Sequence, residues 1–164
     1  MSTRRQILSL VGAATLPLAW GAARAQTFDH SHAAWTLLLK KHVLLVDGGR
    51  ASQVRYSGLA AERASLKAYL GTLSAVAAPA FEGFSRAQQM AFLINAYNAF
   101  TVELILTRYP KLESIKDLGS VLQSPWKAKF VPLLGTQMSL DNIEHDTLRA
   151  RGRYDDPRDR KSVV

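Results

Sequence analysis

The 164-residue chain contains no cysteine. No disulfide can support its fold, and neither thiol catalysis nor a thiolate metal site can be built within it. A Gly-rich phosphate loop, a Gly-x-Ser-x-Gly elbow and a His-Glu-x-x-His pair are also missing, so three common enzyme signatures are absent. Past residue 20 no apolar run reaches the length of a membrane span, because Gln, Asn and Glu break the longest one. No internal repeat, low-complexity stretch or domain linker is present.

What is there begins with a processing pattern. Arg4 and Arg5 precede an apolar segment from Ile7 to Trp20, and Ala23-Arg24-Ala25 follows. A basic start, an apolar run and a small-x-small site read as a signal peptide over residues 1–25, with an uncleaved anchor as the alternative. The Arg pair is a partial match to a twin-arginine signal, so either the twin-arginine or the general route is open. The expected location is periplasmic or secreted, in a bacterium. From Gln26 onward 139 residues remain, a length that suits one domain with a core of its own. Formal charge is +8, and three of the arginines lie in residues 1–25, which leaves +5. The remaining cations are scattered except at Arg149, Arg151 and Arg153, so nucleic acid is not an expected partner.

Ser85 to Pro110 organises the rest. It holds no internal Gly or Pro, Ser85 can cap it, and Pro110 lies just past its end. Gln88, Gln89, Asn95, Glu103 and Thr107 mark a polar face that Phe92, Ala96, Ala99 and Leu106 interrupt. A helix apolar nearly all round is a buried central element. Upstream, the pattern from Phe28 to Val46 predicts a first helix, capped by Asp29 or Ser31 and ended by Asp47-Gly48-Gly49. Gln53 to Tyr56 reads as a short extended piece and Leu59 to Ala75 as a second helix. Phe81 and Phe84 should pack under the central helix. Downstream, Ser114 to Gly119 reads as one helical turn and Ser124-Pro125-Trp126 as extended. Residues 129–138 suggest a hairpin around Gly135, with Pro132 on an edge. Ser139 should cap a helix from Leu140 to about Ala150. The expected fold class is α+β, mainly α: helices around one buried central helix (about 85–109), a small β-hairpin region (about 129–138) and a following helix.

Three sets of residues could carry chemistry. Asp141 and His145 are i and i+4 on a helix, so the carboxylate could orient the imidazole, while Glu144 points elsewhere and needs another partner. Asn95 and Asn98 are i and i+3 on the central helix. They could hold a substrate carbonyl or a catalytic His; as buried amides they would instead bond loop backbone, and Asn98→Leu would then cost about 1–3 kcal/mol. His30 and His32 would share a face in an extended Asp29-His30-Ser31-His32 segment, a candidate metal pair lacking fixed further ligands. No cofactor is implied.

Residues 91–110 (AFLINAYNAFTVELILTRYP), then SIKDLGS, SPWKAKFVPLLGTQMSLDNIEHDTLR and YDDPR resemble successive blocks of the domain of unknown function 547 family, and residues 54–74 resemble its lead-in helix in bacterial members. The resemblance covers about Val54 to Arg158. Members continue past the Asp-Pro-Arg block into a His-containing strand and a Cys-rich segment. The resemblance therefore implies a single domain over residues 26–158 that is incomplete, with 159–164 (DRKSVV, the translation of a common sequencing adapter) as a non-native tail. Strands missing after Arg158 would leave the 26–158 fragment prone to aggregation. Two functions follow as expectations: a soluble binding or structural module of the envelope, or a hydrolase or transferase whose Cys/His-type site is completed by the missing segment.

Overall fold

The computed structural model describes residues 27–112, 114–118 and 124–149. The expected signal segment, the turn at Tyr154 to Arg158 and the 159–164 tail lie outside them.

The fold is α+β and mainly α. Its centre is α5 (Arg86–Leu106), which follows α1 (Ala33–His42), α2 (Tyr56–Ala61), α3 (Arg63–Ser74) and α4 (Ala78–Glu82). Ser85 caps α5 as expected, and a reciprocal bond from the Ser85 N–H to the Gln88 side chain completes a capping box. Phe92, Leu93, Ala96, Ala99 and Phe100 fill the middle of the core from α5. Leu66, Leu70 and Leu73 of α3 and Trp35 and Leu38 of α1 belong to the same cluster. Arg63 grips Glu103 with two guanidinium nitrogens, at 2.7 Å for the shorter contact, and so ties α3 to α5. Gln89 Nε2 donates to the carbonyls of Phe81 and Phe84 at 3.1 and 3.2 Å, fixing α4 beneath the start of α5.

Two antiparallel ribbons complete the described residues. The expected hairpin is there: β3 (Val131–Leu133) pairs with β4 (Thr136–Met138), with Val131 opposite Met138. Leu134 and Gly135 both adopt positive φ, 53° and 77°, the two-residue turn whose twist matches its strands. Val131 and Leu133 face the core and Pro132 faces out, as an edge strand requires. The other ribbon corrects the expected first helix, which ends at His42 rather than Val46. Val43–Val46 is β1 and Ala51–Val54 is β2, with Val43 opposite Val54. Two β-branched residues in four favour the pleated form, and Asp47, Gly48 and Gly49 at φ 52°, 64° and 86° fold the chain back.

Smaller departures have local causes. The second expected helix divides at Glu62, whose φ of −101° and ψ of 23° leave the helical region. Pro125 opens a 3-10 turn over Pro125–Lys127 where an extended piece was expected, since Pro suits the first position of a helical turn. The helix after Ser139 is real but wound wider: Asn142–Leu148, here α6, is a π-helix. Ser139 Oγ accepts from the Asn142 N–H at 3.0 Å, and the Asn142 side chain accepts from the Ser139 N–H at 3.1 Å. Among the described residues no helix is long and apolar enough to cross a membrane.

Candidate functional site

Asp141, Glu144 and His145 lie on α6 and its N-terminal cap, and α6 packs against α5, the helix that carries Asn95 and Asn98. His145 Nε2 lies 3.6 Å from Asp141 Oδ1, so the i,i+4 pair forms, with side chains 54% and 34% exposed. At that distance, with both side chains partly exposed, water competes with each partner for the other. Glu144 finds its other partner through the π winding. The i→i+5 repeat brings Arg149 over Glu144, at 2.8 Å between Nη2 and Oε1, and the Arg149 N–H donates to the Glu144 carbonyl. The Glu144 carboxylate also stands against the Tyr97 hydroxyl; burial first and this carboxylate second push the Tyr97 phenol above its ordinary value. Tyr97 is half-buried at this edge and packs against the core.

Asn95 and Asn98 do not behave as buried amides. Asn98 is exposed and Asn95 half-buried, and among the described residues neither side chain makes a hydrogen bond. With Ile94 they form an outer stripe of α5, and Ile94 is 44% exposed. The central helix is buried on most of its circumference but not all of it.

A more enclosed arrangement starts from Asp29. Its carboxylate accepts from the Ser31 N–H and Oγ at 2.9 and 2.6 Å and from the Ala33 N–H at 3.1 Å. Asp29 thereby caps α1 from outside, and these bonds hold its own pKa below the ordinary value. The turn breaks the extended geometry assumed for His30 and His32: residues 30–31 are a turn, and His32 sits at φ 51° in the left-handed region. Shared-face metal ligation is therefore not how the two imidazoles are used. Among the described residues no group of three acidic, His or Cys side chains could hold a metal ion.

Both rings instead enter an aromatic cluster. His30 meets Phe84 edge-on at 4.3 Å, and Phe28 meets His32 and Phe92 at 5.3 and 5.2 Å. His32 is buried, with Nδ1 2.8 Å from the Tyr69 hydroxyl. Burial lowers the His32 pKa, against the pull of Asp29, and pushes the Tyr69 phenol far up. A neutral imidazole accepting at Nδ1 from that phenol carries its hydrogen on Nε2. Among the described residues this Nε2, like His30 Nδ1 and Trp35 Nε1, is buried without a hydrogen-bond partner. Trp35 stacks on Tyr69 at 5.8 Å and 5°.

Phe28, Asp29, His30 and His32 form one wall of a groove of about 1030 Å³. Its other wall is α3 with its C-terminal cap, where Ala68, Gly71, Thr72 and Ala75 follow one another at i, i+3, i+4 and i+7, all exposed. Ala77, Ala80 and Phe84 close the end. A Cβ added to Gly71 would meet nothing within 4 Å, so the groove is open directly above it. The sequence reading missed this site, although it held a signal: four small residues at helical spacing describe a helix face with no bulk.

Compared with known proteins, the chain matches the family described as "Protein of unknown function, DUF547" over residues 81–163, just over half its length. No curated protein and no solved structure matches it. The α5–α6 cluster falls wholly within the matched residues, whereas most of the groove is built from residues before them.

Proposed function

This chain belongs to the DUF547 family, whose function is unassigned, and from that premise we propose a binding module of the bacterial envelope rather than an enzyme. The observation that carries this reading is the groove. Its volume is that of a site for a small organic molecule, and its surface is mainly small aliphatic and aromatic. Three of its polar side chains are engaged within the protein: Asp29 caps α1, Thr72 Oγ1 bonds the Tyr69 carbonyl at 2.7 Å, and Tyr69 bonds His32. Such walls select an uncharged apolar body and supply no activated nucleophile. Export to the periplasm or beyond is part of the same proposal and rests on the pattern of residues 1–25. A reporter fused after residue 26 that stayed in the cytoplasm would refute that part.

Gly71 provides the test of binding. The uncharged fluorophore N-phenyl-1-naphthylamine should bind the wild-type protein in one saturable site. Gly71→Leu should abolish that binding, because the new side chain enters the groove and not the core. Gly71→Ala should bind still and unfold at a higher temperature, since replacing Gly by Ala within a helix gains about 0.5–1 kcal/mol. Equal binding by wild type and Gly71→Leu would place the fluorophore elsewhere and remove the basis for the proposal.

A further inference from the structure

Residues 27–32, which carry one wall of the groove, belong to no helix or strand. Two side chains anchor them to the body of the protein. Phe28 lies edge-on to Phe92 of α5, and His32, only 6% exposed, meets the Tyr69 hydroxyl of α3. Phe28 also lies edge-on to His32 at 5.3 Å, so each anchor supports the other. His32 keeps φ at 51°, and a non-glycine residue stays in the left-handed region only where its surroundings hold it there. The wall therefore depends on where the His32 ring sits.

That ring is placed to be neutral. Nδ1 accepts from the Tyr69 hydroxyl, and a proton added at Nδ1 turns this acceptor into a donor. The hydroxyl would then have to accept, and its own hydrogen has no second partner among the described residues. Nε2 is already buried without a partner, so the imidazolium would bury a charge and an unpaired donor together. Among the described residues the charges that act on His32 are those of Asp29 and His30, on its own segment. Asp29 favours the cation, but its carboxylate lies exposed and already accepts from Ser31 and from the Ala33 N–H. A protonated His30 would oppose it. On the facing elements α3 presents the Tyr69 phenol, which burial keeps protonated, and α5, reached through Phe28, presents the apolar Phe92. We infer that the wall formed by residues 27–32 is a proton-operated gate: protonation of His32 draws its ring out of the aromatic cluster into water, and the groove lets go of what it holds. The gate rests on the reading of the groove as a binding site and adds what controls its occupancy. Burial holds the His32 pKa below the ordinary 6.5, so release belongs to the range below that value.

Titrations of the full-length chain with N-phenyl-1-naphthylamine between pH 7.5 and pH 4.5 test this, because the fluorophore is uncharged throughout. Where binding requires one neutral group, the dissociation constant rises about tenfold for each pH unit below that group's folded-state pKa. The wild type should approach this slope. His32→Asn, whose side chain tolerates the left-handed backbone, should change less than about twofold over the range, whatever its affinity at pH 7.5. His30→Asn should keep the wild-type slope. A second readout needs no ligand: corrected for intrinsic rate and compared with α5, the backbone amides of residues 27–33 should exchange hydrogen faster at pH 5 than at pH 7.5. Binding that is saturable at pH 7.5 and equally tight at pH 4.5 would overturn the gate and leave the binding module standing. A slope kept by His32→Asn and lost by His30→Asn would overturn it as well, by assigning the proton to His30. Absence of binding at pH 7.5 would refute the groove as a site, and with it any release from the groove. Equal protection of residues 27–33 at both pH values would refute the movement of the wall.

Discussion

His32 and Tyr69 meet at 2.8 Å inside an aromatic cluster, whereas His145 and Asp141 stand 3.6 Å apart in largely solvated positions. Sequence spacing favoured the second pair, and environment favours the first. An i,i+4 rule states that two side chains share a helix face; it does not state whether water reaches them. The first pair spans 37 residues of sequence, so no local pattern announces it. Its strength comes from burial, which removes competing water and leaves each partner dependent on the other.

The largest expected difference between the two regions is in stability. Tyr69→Phe removes the hydroxyl and leaves a second buried nitrogen of His32 unpaired, so it should cost about 1–3 kcal/mol in denaturant unfolding. Asp141→Ala, which removes the corresponding partner of His145, should cost no more than about 0.5 kcal/mol in the same measurement. Equal costs would show that burial does not separate the two pairs.

Acid sharpens the same contrast. The folded-state pKa of His32 lies below its ordinary value of 6.5, chiefly because burial disfavours the imidazolium. The unfolded chain therefore binds this proton more readily than the folded one. The stability associated with a neutral His32 is fully present above pH about 6.5 and is lost as the pH falls below that value toward the folded-state pKa. The melting temperature of the wild type should drop between pH 7 and pH 5, and His32→Asn should drop less. Asparagine is chosen because it tolerates the left-handed backbone that His32 occupies at φ 51°. An identical drop in both proteins would mean that His32 is not the group titrating.

The elements that could be read from the chain are those set by short-range rules. Ser85, Ser139, Gly135 and Pro132 each sit where their backbone chemistry predicts, and the run from Arg86 to Leu106 is the central helix. Errors arose where a local pattern served two structures. Val43 to Val46 continues the apolar periodicity of α1, yet its β-branched residues and the following Asp-Gly-Gly turn make it a strand. Asp141 to Leu148 reads as α-helical, but the pairing of Glu144 with Arg149 is an i+5 contact that only the wider π winding provides. The groove depended on the most distant information. Its walls come from Thr27–His32 and from α3, and Asp29-His30-Ser31-His32 reads as an extended His pair until Phe28 is seen packed on Phe92.

Asn98 gives the smallest expected effect and the most direct test of how the central helix is used. Were it a buried amide, Asn98→Leu would leave a loop group unpaired and cost about 1–3 kcal/mol. Exposed and without a hydrogen bond among the described residues, it should instead tolerate leucine within about 0.5 kcal/mol, because an exposed helix site away from caps and pairs contributes little. Leucine also has the better helix propensity, so the sign of any residual change should be stabilising. The substitution adds to the apolar stripe that Ile94 begins, and its effect on solubility should exceed its effect on the unfolding midpoint. A loss of 1 kcal/mol or more would mean that something packs on this face of α5 and uses the amide. The contrast drawn above would then reverse, with the α5–α6 side as the more enclosed of the two.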